Sequence, residues 1–208
     1  MSTKQADLSP AERRSARKKQ EILAAAHTLI KEKGIESLTM RALADAIDYS
    51  PAALYKYYPE KQAILEALRR QGWDRLRAMN AQAAQSPLAL PDLLKALGRA
   101  YQEFATRYPE YYLLMFASTD AAPRSLEEIV HRPDFKRVTD LVQAGIDDGS
   151  FHLPPGVDAL QVRFLIWFAS HGMAMLKLTF LRECGPEIEA AGQQAIDALT
   201  AMMSRPAE

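Results

Sequence analysis

Residues 48–61 read DYSPAALYKYYPEK, with Tyr55, Tyr57 and Tyr58 and the lysines Lys56 and Lys61 set behind Ser50-Pro51. This is chemistry for holding a polyanion. Phenol hydroxyls and ammonium groups donate to phosphate oxygens, and a small residue such as Ala52 lets a helix backbone approach base edges, where its methyl can meet a thymine methyl. Patterns for bond-making are missing. His27, His131, His152 and His171 are dispersed, and there is no HExxH, Gly-rich phosphate loop or GxSxG. Cys184 has no base partner, so no catalytic, metal or cofactor-binding set is expected.

Charge supports a polyanion partner. The chain of 208 residues has zero net formal charge, but residues 1–80 carry 15 Lys+Arg against 10 Asp+Glu, and residues 81–208 carry 11 against 16. A basic N-terminal third on an acidic body suits a nucleic-acid-binding part joined to a separate body. The bland alternative is scatter of solvated charge.

The elements that must present these residues are helices. Ser9 can cap a helix with Pro10 at its first position and Glu12 completing a capping box. Ile22, Leu23, Ala26, Leu29 and Ile30 then form one apolar stripe, and Gly34 ends the helix. Thr39 caps a second, short helix whose inward pair is Leu43 and Ile47. After the break Asp48-Tyr49-Ser50, Ser50 caps a third helix with Pro51 at its first position; Pro59 ends it, and Lys61 opens a fourth running to about residue 82. On the third helix, at 100° per residue, Tyr58 falls about 40° from Leu54 and Tyr57 about 60° to the other side. Both face or flank the core. Ala52, Tyr55 and Lys56 fall about 100° or more away and form the outward face. Such a segment is the second helix of a helix-turn-helix, which enters the major groove N-terminus first. Arg41 on the helix before it can reach a guanine edge or a phosphate. On the first helix Arg13/Arg17 and Arg14/Lys18 are like-charge pairs four apart, a cost that a polyanion would remove.

The stretch LTMRALADAIDYSPAALYKYYPEKQAIL (38–65) resembles the helix-turn-helix of the tetracycline-repressor (TetR) family of bacterial transcription regulators. Thr39, Arg41, Ser50, Pro51, Leu54, Tyr55, Tyr57, Tyr58 and Lys61 match its pattern in order. Two positions depart from it. Asp48 stands where a turn glycine is usual, though Asp tolerates left-handed backbone better than most residues. Tyr58 stands where Phe is usual, so its hydroxyl needs a partner or an edge. The resemblance implies DNA contacts from Arg17, Thr39, Arg41, Ser50, Pro51, Ala52, Tyr55, Lys56, Tyr57 and Lys61.

The rest also reads helical, at roughly 91–107, 109–117, 124–131, 134–147, 157–183 and 187–203, divided by Pro109, Pro123, Pro133, the Gly149–Gly156 loop and Gly185-Pro186. The expected architecture is all-α. A helix-turn-helix domain of three to four helices spans 1–62, with 1–10 as a flexible tail, and a helical effector-binding and dimerisation domain spans 63–208. YQEFATRYPEYYLLMF (101–116) and IWFASHGMAML (166–176), with Trp167, His171 and Gly172, resemble the Trp-His-Gly subgroup of the family. Residues 164–176 are apolar nearly all round, so that helix is covered on more than one side, and Gly172 would permit close approach of another. The resemblance implies a homodimer through the helices at 157–183 and 187–203. It also implies a pocket for a small apolar effector, with Tyr101, Phe104, Tyr108, Tyr112, Met115, Phe116, Trp167, His171 and Met175 as candidate lining. An aromatic and methionine cluster at helical spacing is equally what plain core looks like.

A single cysteine excludes an internal disulfide and suits a reducing cytosol. The N-terminal MSTKQADLSPAERR has no apolar segment of the secretory kind, and the longest apolar run is broken by Ser170 and His171, so a cytoplasmic protein with no membrane partner is expected. The expected function is a repressor released from a palindromic, double-stranded operator by its effector. The alternative is a dimeric, helical protein-binding adaptor with a decayed reading head, which the intact Ser50-Pro51, Leu54-Tyr55, Lys61 spacing disfavours.

Overall fold

A computed structural model of the chain describes residues 9–85, 87–116 and 123–204. Ten α-helices make up the described fold: α1 (Pro10–Lys33), α2 (Met40–Ala46), α3 (Pro51–Tyr55), α4 (Lys61–Ala83), α5 (Leu90–Arg107), α6 (Pro109–Phe116), α7 (Leu126–Val130), α8 (Pro133–Asp147), α9 (Ala159–Leu178) and α10 (Gly185–Met203). Extended pairing among the described residues is limited to one isolated antiparallel bridge, Phe151 with Ser204. The expected tail 1–10 falls mostly outside the described residues, as does Ala117, the expected end of the helix from 109.

The chain divides into two compact units. One comprises the residues up to Gly72 with the segment beginning at Leu113, and the other comprises Trp73–Tyr112 with the rest of the chain. In the first unit the start of α1 is a complete capping box. The Ser9 hydroxyl accepts from the Glu12 N–H at 3.3 Å and the Glu12 carboxylate accepts from the Ser9 N–H at 2.8 Å. Ile22, Leu23, Ala26 and Ile30 of α1 are buried with Leu38, Leu43, Leu54, Tyr58, Ile64, Leu65 and Leu68. Leu29 and Ile47, expected inward, are only half-buried. Arg69, 6% exposed, donates from Nε to the Leu114 carbonyl at 3.1 Å and so ties α4 to the end of α6.

In the second unit α5, α8, α9 and α10 surround a core of Leu94, Val142, Phe151, Ala159, Val162 and Met203. Helix α9 begins at an Asp158–Gln161 capping box. It stops at Leu178, five residues short of the expected 183; a separate 3-10 turn covers Arg182–Cys184. The stretch LKLTFL (176–181) holds no Gly or Pro to mark this stop, which comes where Thr179 leaves helical geometry and turns its hydroxyl back to the Met175 carbonyl at 2.6 Å.

Close helix approach occurs within the second unit, while Gly172 faces open space in a single copy of the chain. A Cβ there would meet nothing within 4 Å, whereas one on Gly192 would lie 2.9 Å from Met173 Cγ, and one on Gly145 2.1 Å from the Phe151 ring. Gly192 lets α10 close on α9, and Gly145 admits the ring of buried Phe151 against α8. By length and composition α9 could cross a membrane. Yet it carries Arg163, His171 and Lys177, and Lys177 pairs with Glu189 of α10 at 3.1 Å.

Candidate nucleic-acid interface and effector site

The reading element is assembled by local chemistry. Thr39 caps α2, its hydroxyl accepting from the Ala42 N–H at 3.0 Å. At the other end Asp48 adopts φ 54°, the only described non-glycine residue with positive φ. The Tyr49 N–H donates to the Ala44 carbonyl at 2.9 Å and the Asp48 N–H reaches Asp45 O at 3.5 Å. This is a Schellman closure with Asp in the place usually held by glycine, and it turns the chain sharply into α3. Ser50 then caps α3, accepting from the Ala53 N–H at 3.2 Å, with Pro51 at the first helical position.

Helix α3 is shorter than expected. It ends at Tyr55, with Lys56 as its C-cap, because Pro59 disfavours helical geometry at Tyr58. The Tyr57 and Tyr58 N–H groups still donate to the Leu54 carbonyl, at 2.9 and 3.1 Å, so the tight turn carries both side chains round in the expected order. Leu54 is fully buried, Tyr58 is 8% exposed and Tyr57 is half-buried, whereas Tyr55 is 51% exposed with Ala52 and Lys56 also exposed. Burial holds the Tyr58 phenol above its ordinary pKa.

Thr39, Arg41, Ser50, Pro51 and Arg17 are all exposed. Lys61 is half-buried, and its amine donates to the Ile35 carbonyl at 3.4 Å, so it braces the 3-10 turn Ile35–Ser37 from the start of α4. The like charges on α1 are less exposed to one another than their spacing suggests. Glu21 pairs with Lys18 at 2.6 Å and with Arg17 at 3.7 Å. The Lys18 ammonium also lies 4.8 Å from the centre of the Tyr49 ring, which links α1 to the turn before α3. Neither Glu21 nor Tyr49 stands out in the sequence; the i,i+3 spacing of Lys18 and Glu21 was the available signal.

The second unit holds a partly buried polar cluster. The Tyr112 hydroxyl lies 2.6 Å from His171 Nδ1, the Tyr101 hydroxyl 3.2 Å from the same nitrogen, and the two hydroxyls 3.1 Å apart. Burial pushes the Tyr101 phenol up to about 12 and the Tyr112 phenol higher still, and it lowers the His171 imidazole. All three are therefore neutral near pH 7, and a neutral imidazole can accept the Tyr112 proton at Nδ1.

Of the other candidate lining residues, Phe104 is fully buried and packs on the Tyr108 and Tyr112 rings at 5.7 and 6.4 Å between centroids, the environment of a core residue. Tyr108 is half-buried between the guanidinium groups of Arg75 and Arg107, 5.1 and 5.5 Å away. Met175 is half-buried on α9. Met115 and Phe116 fall in the first compact unit, whereas Tyr101, Trp167 and His171 fall in the second.

Arg163 was not among the expected residues. It lies one turn before Trp167, with its guanidinium 4.2 Å from the centre of the buried Phe135 ring. Its Nε is buried and has no hydrogen-bond partner among the described residues. Desolvation by burial, partly countered by Tyr101, brings the guanidinium down to about 10. Its signal in the sequence was a charge at i−4 and i−8 from Trp167 and His171, on the inward stripe of an otherwise apolar run.

On its opposite side α9 is apolar and exposed. Leu165 and Phe168, 55% and 61% exposed, join Leu126, Phe164, Pro155 and Val157 around an open groove of about 490 Å³.

Comparison with known proteins agrees with this architecture. The model of the tetR family of bacterial regulatory proteins matches residues 22–68, and that of the tetracyclin repressor-like C-terminal domain matches residues 94–199. The HTH-type transcriptional repressor KstR2 of Mycolicibacterium smegmatis is 27% identical over 154 residues, 72% of this chain and 75% of that protein. The nucleoid occlusion factor SlmA of Mannheimia succiniciproducens is 42% identical over 52 residues, 25% of this chain and 24% of that protein. Among solved structures, a Rhodococcus protein of unknown function superimposes with a TM-score of 0.74 at 24% identity, covering 90% of this chain and 95% of that one. The ketosteroid transcriptional regulator KstR2 of Mycobacterium tuberculosis gives 0.62 at 20% identity, with the same coverage. The N-terminal match contains the whole of α2, the turn and α3, and the C-terminal match alone spans more than half of the 208 residues. The chain belongs to the TetR family and is a DNA-binding transcriptional regulator, not an enzyme.

Proposed function

We propose that the protein is a cytoplasmic homodimeric repressor that binds a palindromic operator through residues 1–62 and leaves it when residues 63–208 bind a small effector. The observation that carries this reading is the outward face of α3. Ala52, Tyr55 and Lys56 stand exposed on a helix whose N-terminus is opened by the Ser50 cap and whose buried side is held by Leu54. Small, aromatic and cationic groups on one short face suit close groove approach, a sugar or base contact and a phosphate contact, in that order. Arg17, Thr39, Arg41, Tyr57 and Lys61 supply backbone contacts around it.

The dimer rests on α9 and α10. Leu165, Phe168 and Leu176 of α9 and Met202 of α10 are exposed, from 43% to 80%, and large apolar side chains left in water suit burial against a second copy. A second copy would place two α3 helices one helical turn of DNA, ~34 Å, apart. Repression is supported by the relative in Mycolicibacterium smegmatis, which is a repressor.

A mobility-shift titration with DNA upstream of the protein's own gene tests the reading. A shift is expected at ~100 mM salt. No shift up to micromolar protein refutes it. Lys61→Ala should weaken binding to all sequences alike and lower the salt slope by about one. An unchanged slope removes Lys61 from the phosphate contacts.

A further inference from the structure

We propose that the effector is a small carboxylate with an apolar body, and that Arg163 binds its charge. This inference rests on the effector-responsive reading above and replaces the apolar effector expected from the sequence with an amphipathic one.

The first ground is an unmet demand. Arg163 points from α9 toward α8, where its guanidinium lies over the Phe135 ring, 4.2 Å from the centroid. A ring face attracts a cation but accepts no hydrogen bond as a carboxylate does. The buried Nε has no hydrogen-bond partner, and no carboxylate among the described residues forms an ion pair with this side chain. A buried donor without an acceptor, on a cation, is among the costlier arrangements in a protein interior. A methionine of similar length would pack in its place at no such cost. A site that keeps a buried guanidinium N–H without an acceptor is suited to an anion that arrives from outside.

The second ground is the chemistry around it. About two turns along α9 from Arg163, the Tyr101 and Tyr112 hydroxyls, 3.1 Å apart, both lie at His171 Nδ1 and make a polar patch beside the aromatic rings. The nearby groups that titrate, the two phenols and His171, are neutral at pH 7, so Arg163 is the cluster's single charge. One positive charge with a planar fork matches one planar monoanion in bidentate contact. The walls are aromatic. Phe135, Phe164 and Trp167 pack mutually with centroids 5.2 to 6.5 Å apart, a surface for the apolar body of the same molecule.

The test pairs each acid with the alcohol of the same skeleton: decanoate with 1-decanol, and 4-phenylbutanoate with 4-phenylbutan-1-ol. Binding to the full-length protein, without DNA, is read by the shift of its melting temperature and by tryptophan emission, since Trp167 lies in the cluster. In the wild type at least one acid should bind tenfold or more tighter than its alcohol, because the alcohol leaves the guanidinium unpaired. In Arg163→Met that ratio should fall to about one, while the ligand-free protein melts no lower than wild type because the orphan charge is gone. Arg163→Gln serves the same comparison should the methionine variant not fold. Equal affinity for acid and alcohol in the wild type, including no binding of either, overturns the proposal, as does a preference that survives removal of Arg163. A mobility shift run on the same protein separates the two readings. If DNA binds but the acids show no preference, the regulator stands and the carboxylate does not.

Discussion

Replacing Leu54 and Tyr55, neighbours on a five-residue helix, should have opposite consequences. A helix as short as α3 has no stability of its own, so its position depends on the Ser50 cap and on the Leu54 side chain, which is fully buried. Leu54→Ala removes three buried carbon groups at about 0.8 kcal/mol each. A residual cavity of roughly 50 Å³ adds about 1.2 kcal/mol at ~24 cal/mol per Å³, for a total near 3.5 kcal/mol. In urea that corresponds to a midpoint about 2 M lower for the N-terminal unit. The unfolding should be followed by amide circular dichroism, because both tryptophans, Trp73 and Trp167, lie in the other unit. Tyr55 is 51% exposed, so Tyr55→Ala should change stability by less than about 0.5 kcal/mol. It should nonetheless weaken specific DNA binding about tenfold or more, with little effect on unrelated sequences. A cost below about 1 kcal/mol for Leu54→Ala would show that something other than Leu54 seats the helix. Equal destabilisation by the two substitutions would refute the division of α3 into a holding side and a reading side.

Asp48 sits at φ 54°, where glycine pays no steric penalty. Asp48→Gly should therefore leave thermal stability within about 1 kcal/mol of wild type, and Asp48→Val should lower it by about 1–2 kcal/mol; a harmless valine would contradict the left-handed turn. Burial depresses the His171 pKa below its ordinary 6.5, so the unfolded chain takes up this proton more readily than the folded one. The stability this group contributes is complete above 6.5 and is lost as pH falls through the window below it. Melting temperatures between about pH 7.5 and 5 should fall less steeply in His171→Gln than in wild type, and parallel profiles would count against a buried neutral imidazole.

Much of the reading element was legible because its determinants are local. Ser9, Thr39 and Ser50 cap the N–H groups three residues ahead of them, and Pro51 fixes φ at the first position of α3 whatever lies elsewhere. The turn at Asp48 is likewise a backbone matter, decided within six residues by the Ala44 and Asp45 carbonyls. Helical periodicity then divided Leu54 from Tyr55 without knowledge of the partner surface.

The body was legible as helices but not as a site. Periodicity marks which face of α9 is apolar, yet not which of its two sides meets α5 and α8. Gly172 was the candidate for close approach, and within one copy of the chain the close helix contacts fall at Gly192 against Met173 and at Gly98 against Ile196, because helix crossings depend on relative placement and not on composition. Met115 and Phe116 share a helix with Tyr112, but the chain divides between Tyr112 and Leu113 into different compact units.

From the sequence alone one could determine an all-helical chain, the N-terminal caps at Ser9, Thr39 and Ser50, and the three residues that face out from α3, because hydrogen bonds over three or four residues set all of these. Tertiary structure decided the rest. It brought Tyr101, Tyr112 and His171, up to 70 residues apart, within hydrogen-bonding distance and left Arg163 among aromatic rings with its Nε unpaired. Burial, which shifts a pKa or leaves a donor without an acceptor, is a property of the surroundings and is written in no single stretch of chain.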